Sequence, residues 1–329
     1  MATVTVQNND TLLETLATHI FEHHGPEIGN AAIDKNFILA YLKSKGKKIT
    51  SGGLDFAEPV MIGENGNFGF IDHYSGIPAN MQDPTREFKF EPKTYAGTLV
   101  LNKKHELQNK GKSMIKKWIR TLRTQGDTSI SNQINDAMWK TSPGANDPES
   151  LISLFPTTNT TGTIGGINRS GNTWAQHKHD GSTVSDIGSE AGLTALHKFR
   201  MKLGGPASLK ADFAMTTVSL YSSLMGFLDA NRRFRASEQM TKLGFDNMFV
   251  GSVLFGYDGD GDANKCPADQ IYFLNSNHLF FRILEGSDFV FEPFSRKDNS
   301  LNTTSIFYLM YNLTTNLPSS MGLMSAVTG

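Results

Sequence analysis

The sequence predicts an α+β fold, and three stretches carry that prediction. Residues 49–100 read as short strands separated by turns, with Pro59, Pro78, Pro84 and Pro92 as punctuation. Residues 102–141 hold the longest helical periodicity in the chain. Strands dominate again from Met248, at 248–255, 270–274, 278–284, 289–294 and 305–312. A strand pair, a long helix, a mixed block and returning strands form an α+β order whose last strands rejoin its first.

The first fifty residues read as an arm with two short helices. Over 11–24, Leu12, Leu13, Leu16, Ile20 and Phe21 recur at helical spacing, with Asp10 or Thr11 as cap and Gly25-Pro26 as stop. Over 33–44, Phe37, Ile38, Tyr41 and Leu42 share one face, and a basic run from Lys43 to Lys48 suits the negative end of a helix dipole. In the strand region that follows, Phe68-Gly69-Phe70 and Glu87-Phe88-Lys89-Phe90 alternate with a period of two, as a two-faced hairpin does. A long two-stranded excursion buries little of its own apolar surface, so a neighbour is expected to cover it.

Within 102–141, Ile115, Trp118, Ile119 and Leu122 mark one helix face, and Ile130, Ile134, Ala137 and Met138 continue it past Gly126-Asp127. That glycine costs a helix only about 1 kcal/mol relative to alanine, so a bend there is as plausible as an end. Eight basic residues between Lys103 and Arg123 meet one acid, Glu106. Among them Lys112, Lys116, Arg120 and Arg123 follow at three- or four-residue steps and share a face. Two readings stay open: a surface that holds phosphates nonspecifically, or a solvated or neighbour-facing helix face.

Residues 142–185 form a long connection rich in Gly, Thr, Asn and Ser, the kind that tends to be functional or interfacial. It contains Gly165-Gly166-Ile167-Asn168-Arg169-Ser170-Gly171-Asn172-Thr173-Trp174. Paired glycines permit a sharp turn or close backbone approach, and a tryptophan in so polar a stretch needs something to pack against. The segment reads as an anchored contact loop. Helices follow at 189–202, closed by Gly204-Gly205-Pro206, and at 217–231.

Composition narrows the function classes. Lys plus Arg is 31 and Asp plus Glu is 32, so a net charge of -1 gives no global nucleic-acid signature. The 19% charged fraction falls below the usual figure of about 25%, which leaves much surface in neutral polar loops. A lone Cys266 forms no intrachain disulfide and anchors no Cys/His zinc quartet; it reads as a small buried hydrophobe. The first ten residues lack the basic start and apolar run of a secretory leader, and no apolar stretch approaches the roughly 20 residues that span a bilayer.

Catalytic signatures are missing from the sequence. It has no Gly-x-Ser-x-Gly elbow, phosphate loop or dinucleotide fingerprint. Asp258-Gly259-Asp260-Gly261-Asp262-Ala263-Asn264, with Asp269, imitates a calcium loop, but Ala263 stands where the turn wants glycine and Asp269 where a longer Glu would bind. An acidic hairpin turn is the favoured reading. His177-Lys178-His179 offers two imidazoles on one side of a strand, without third and fourth ligands nearby.

The Gly165 to Trp174 segment resembles the Gly-Gly-Ile-x-Arg-Ser-x-Asn-x-Trp segment of one family of tailed-bacteriophage major capsid proteins. Where that family often continues with a second Trp and an Arg, this chain has Ala175, Gln176 and His177. Three further stretches are similar and stand in the same order: Gly52-Gly53-Leu54 to Pro59-Val60, Leu101-Asn102 to Gln108-Asn109, and Cys266-Pro267 to Phe273-Leu274-Asn275. The resemblance runs from about Gly52 to Leu317.

It implies an N-terminal arm (1–48), an extended β-hairpin loop (49–95), a peripheral domain on a long spine helix (96–145 with 285–317), an α/β axial domain (146–284) and a C-terminal tail (318–329). The implied role is structural rather than enzymatic and needs no cofactor: copies of the chain form pentamers and hexamers in the icosahedral head around double-stranded DNA. A scaffolding protein, a portal and nonspecifically contacted DNA are the further implied partners, with no membrane, and assembly takes place in the host cytoplasm. Candidate subunit contacts are Gly165, Gly166, Arg169, Trp174, Phe68, Phe70, Phe88 and Phe90; Lys112, Lys116, Arg120 and Arg123 are the DNA-facing or neighbour-facing candidates. The alternatives are an encapsulin-like compartment shell, which shares this fold, and a metal-dependent hydrolase using Asp258, Asp260 and Asp262.

Overall fold

The structure is a computed structural model. It describes residues 33–62, 66–72, 76, 79–81, 83–102, 112–203, 210–231, 238–242, 246–259, 264–292, 295–296 and 302–329, with the backbone alone at 101, 102, 112–120, 122, 123, 127, 229–231, 238, 239 and 296. The helix expected at 11–24, the Gly204-Gly205-Pro206 stop, Lys103, Lys104, Lys110, Asp260 and Asp262 lie outside these residues.

The longest strand, β15 (Asn302–Thr315), organises the first sheet. Its alternation sends Ser305, Phe307, Leu309 and Tyr311 inward and leaves Ile306 exposed. Strand β4 (Lys93–Asn102) pairs antiparallel along one edge, from Lys93 opposite Tyr311 to Asn102 opposite Asn302. The other edge is shared by β12 (Leu279–Leu284), β13 (Val290–Phe291) and β14 (Ser295–Arg296) in turn. Strand β1 (Lys48–Ser51) adds parallel to β12. The returning strands thus rejoin the early ones, as the α+β order requires.

Helix α2 (Lys112–Met138) buries Ile130, Ile134 and Met138 in the core and passes uninterrupted through Gly126 and Asp127. Asn102, where the helical periodicity begins, instead completes β4 opposite Asn302. Ladder pairing with β15 outweighs helix propensity at that position. At Gly126 a Cβ would meet only Leu99, at 3.8 Å, so the glycine is not there to admit a close neighbour.

A second sheet runs β7 (Lys178–Asp180), β16 (Gly322–Met324), β11 (Ile271–Leu274), β8 (Phe213–Thr216), β10 (Val253–Tyr257) and β9 (Met248–Val250). Its central strands are buried on both faces, so they read as continuous apolar runs rather than alternations. One face takes α4 (Glu190–Lys202) and α5 (Val218–Asn231), with Phe199 5.3 Å from Phe273 and Leu220, Leu224 and Leu228 buried. The opposite face meets α1 (Phe37–Ser44), where the Tyr41 ring lies 4.7 Å from Phe213. Alongside α1 stands the short α6 (Glu238–Lys242), with Met240 buried.

Four expectations change here. Helix α1 belongs to the core and not to an arm: all six residues from Phe37 to Leu42 are buried, and a helix apolar on every side has no solvent face. Asn36 caps it by accepting from the Leu39 N–H at 3.1 Å. Strand β12 lies in the first sheet, so the crossover falls in the turn at 275–278 rather than at 284. The last residues, set apart as a tail, supply β16 inside the second sheet, antiparallel to β11. And the hairpin joins β2 (Phe56–Met61) to β3 (Thr85–Phe90), Phe56 opposite Phe90, rather than Phe68–Phe70 to the Phe88 strand.

At Gly256 a Cβ would stand 2.6 Å from the Phe37 ring, the closest measure of how tightly α1 sits on β10. Gly256→Ala is expected to cost about 1–3 kcal/mol by overpacking, and Phe37→Ala about 3–5 kcal/mol by cavity formation. Urea denaturation of the unassembled chain checks both; a change near zero for Phe37→Ala would return α1 to the role of a detachable arm.

Candidate functional site

The glycine pair closes a small hairpin between β5 (Thr163–Ile164) and β6 (Ile167–Asn168), with φ of 52° at Gly165 and 80° at Gly166. Positive φ at both central positions is the turn that matches the twist of a two-residue hairpin. The turn presses onto β3. A Cβ on Gly165 would fall 2.7 Å from the Phe88 Cβ, and the Lys89 N–H donates to the Gly165 carbonyl at 3.0 Å.

Arg169 then ties the loop down. It is only 2% exposed, and its Nη2 donates to the Ser153 and Leu154 carbonyls at 3.2 and 2.7 Å. Those carbonyls end the single-turn helix α3 (Leu151–Leu154), which Ser150 opens with a reciprocal capping box to Ser153. Burial works against the guanidinium charge and nearby Glu149 supports it. Gln176 closes the far side by donating to the Arg169 carbonyl at 2.7 Å. Trp174 is half-buried, its ring 5.5 Å from that of Phe88.

The contact candidates therefore separate. Phe88, Phe90 and Arg169 are enclosed by this chain, and Gly165 is committed to Phe88. These four are engaged in packing within the chain, because the polar loop is anchored on the chain's own hairpin. Gly166, Phe68 and Phe70 face outward, Phe68 at 84% exposure. With Leu54, Met61, Ile71 and Met81 they give the hairpin an exposed apolar margin.

The sequence did not single out the polar lock beneath the hairpin. Glu58, 2% exposed on the inner face of β2, takes hydrogen bonds from Arg282 Nε on β12 and from Thr314 Oγ1 on β15, the latter at 2.7 Å. Buried Asn312 gives its Nδ2–H to the Glu91 carbonyl at 2.7 Å and accepts from the Glu149 N–H at 2.8 Å. The one available signal was phase: Glu58 shares the inward parity of Phe56 and Val60.

Asp258 proves to be a joint. Its carboxylate accepts the Trp139 indole N–H at 2.6 Å, with Lys265 Nζ 3.9 Å away. This ties the end of α2 to the second sheet and leaves a carboxylate already committed to an N–H donor beside a cation, unlike the first ligand of a calcium loop. Among the described residues no group of three His, Cys, Asp or Glu side chains has metal-holding geometry. The Lys112, Lys116, Arg120 and Arg123 side chains lie outside the description, though their backbone belongs to α2. Among the described residues no helix is long and apolar enough to cross a membrane.

His177 is 1% exposed with neither ring nitrogen hydrogen-bonded, and its ring meets Phe155 edge-on at 5.7 Å. Burial, then the charges of Arg169 and His179, pushes its pKa down to about 3. The unfolded chain binds a proton near pH 6.5 that the folded chain refuses. Stability from this group is therefore full above pH 6.5 and falls by about 1.4 kcal/mol per pH unit from there towards pH 3. His177→Phe should flatten the difference between urea midpoints at pH 7 and pH 5, and an unchanged difference would remove His177 as its source. Gly165→Ala is expected to lower the midpoint because it combines positive φ with a clash on Phe88. Trp174→Ala should cost about 2 kcal/mol, below the ~3–5 of a fully packed tryptophan.

No protein-family profile and no curated protein sequence matches the chain. Solved structures do. The chain is similar to the subunit of the cyanophage A-1(L) capsid, with a TM-score of 0.66 at 15% identity over 89% of this chain and 92% of that one. The capsid of a native GTA particle follows at 0.59, with 12% identity over 88% and 90%. The capsid of the myovirus XM1 gives 0.54, with 11% identity over 86% and 90%. At these identities the likeness is one of fold, and it spans nearly the whole of each chain: the protein has the fold of phage and GTA capsid shells.

Proposed function

We propose that this chain is the major shell subunit of a tailed-phage head, which self-assembles around double-stranded DNA. The observation that carries this reading is the near-complete two-way coverage of capsid subunits by the fold. The exposed apolar side chains of the hairpin, concentrated at 54–81, agree with it, since such surface on a soluble chain marks a protein contact. The hairpin is the contact element, its outer residues lying on the next subunit, and the spine helix carries the basic face towards packaged DNA. Pentamers and hexamers, a scaffolding protein and a portal complete the reading.

Electron microscopy of the expressed chain tests it most directly: closed particles of uniform size are expected, and a monomeric or open-ended product overturns it. Replacing residues 62–83 with an Asn-Gly turn should leave a folded subunit of near-normal stability that forms no particles. Normal particles from this variant would take the hairpin out of assembly. For the basic face, changing Lys112, Lys116, Arg120 and Arg123 to Gln should leave empty-shell assembly intact and lower DNA retention regardless of sequence. Each lost phosphate contact should reduce the log–log salt dependence by about 0.9. Equal retention at every salt concentration would make this face solvated or neighbour-facing.

A further inference from the structure

The hairpin divides at Met61 and Thr85. Below that line its inner face, Phe56, Val60, Phe88 and Phe90, joins the core shared with α1 and both sheets. Above it, the Ile62 N–H donates to the Pro84 carbonyl at 2.8 Å, and Asn67 and Asn80 hold each other through two hydrogen bonds of 2.7 and 3.1 Å. These bonds hold the two arms of the hairpin to each other beyond the base.

Apolar packing alone fixes direction poorly, because it is tolerant of rotation and slip. The base carries one feature that is not tolerant. Glu58 places a carboxylate inside the core, and a single oxygen, Oε1, accepts from both Arg282 on β12 and Thr314 on β15. Arg282 is itself held, its guanidinium 5.8 Å from the centre of the Phe280 ring. A buried ion pair contributes little net stability compared with apolar residues of the same volume, yet it is costly to misalign. Its effect is on geometry more than on stability.

We propose that Glu58, through Arg282 and Thr314, is a positioning residue that sets the direction in which the hairpin leaves the body, and so which part of a neighbouring copy Phe68, Phe70, Ile71 and Met81 can reach. The second half of this statement rests on the shell reading. The first half does not.

The test separates the two. Spin labels at Gly69→Cys, near the tip, and Thr194→Cys, on α4, report the tip-to-body distance in the full-length chain; native Cys266 is buried and does not compete. The parent should give one narrow distance distribution. Glu58→Met with Arg282→Met keeps volume and removes the charges. It is expected to keep its melting temperature within a few degrees while the distribution broadens at least twofold and particles become irregular or absent. A merely structural role would move the melting temperature and leave the distribution narrow, and a narrow distribution overturns the proposal. Should the double variant fail to fold, Thr314→Val removes one contact and no charge. Broadening is then expected, and an unchanged distribution overturns the proposal. If the parent itself forms no particles, the shell reading fails while the distance measurement still decides the role of Glu58.

Discussion

Everything else in this structure depends on burying the apolar helix α1 between two sheets. Neither sheet closes its inner face alone. The first offers Phe281, Ile283, Phe307, Leu309 and Tyr311, and the second offers Phe213, Met215, Leu254 and Tyr272. Between them, Phe37 to Leu42 fills the gap with a cylinder that has no polar side. The polar ends of that cylinder are met in turn: Asn36 caps it, and the Tyr41 hydroxyl donates to Asp212 at 3.1 Å. Asp212 also accepts from the Ser276 N–H at 2.8 Å, in the turn where the chain passes from one sheet to the other. The crossover and the filler are thus secured by the same carboxylate.

The hairpin is built onto that core by two kinds of force with different effects. Phe56, Val60, Phe88 and Phe90 supply non-directional burial, which holds the base in place. The Glu58 lock, the Asn312 bridge and the Gly165 contact are directional, the first joining the hairpin to β12 and β15, the second to β15 and the third to the polar loop. The polar loop from Gly165 to Trp174 serves this base. Arg169 and Gly165 are used inside the chain, while Gly166 lies on the exposed rim. On the shell reading proposed above, an element held at its root and apolar at its margin would need less ordering on meeting a neighbouring copy.

The joints between elements also explain why the chain tolerates so many neutral polar loops. Trp139 to Asp258 and Arg169 to the end of α3 each satisfy a buried polar group with a partner distant in sequence. Buried polar atoms that lack such partners are expensive, and the described core keeps few of them. His177, with both ring nitrogens unpartnered, is held neutral by its surroundings. Arg169 Nε, Ser51 Oγ, Tyr221 Oη and Thr315 Oγ1 are the other buried side-chain atoms without a partner among the described residues.

The sequence by itself determined the α+β class, the long helix, the return of late strands to early ones and the sharp glycine turn. Each of these is written in local periodicity or in backbone freedom at a few residues, which neighbours distant in sequence scarcely alter. It misplaced what depends on phase and on partners. The alternation at Phe56-x-Glu58-x-Val60 was hidden by a charge in an inward position and a proline beside it, so the Phe88 strand was given the wrong mate. Residues 33–44 looked like an arm because a short helix before a basic run carries no mark of what will surround it. Tertiary structure alone decided that Arg169 is buried, that Asp258 is a joint and that Glu58 meets Arg282 and Thr314 across 224 and 256 residues. Pairings over such separations leave no local trace, because their energy comes from the shared exclusion of water and not from the chain between them.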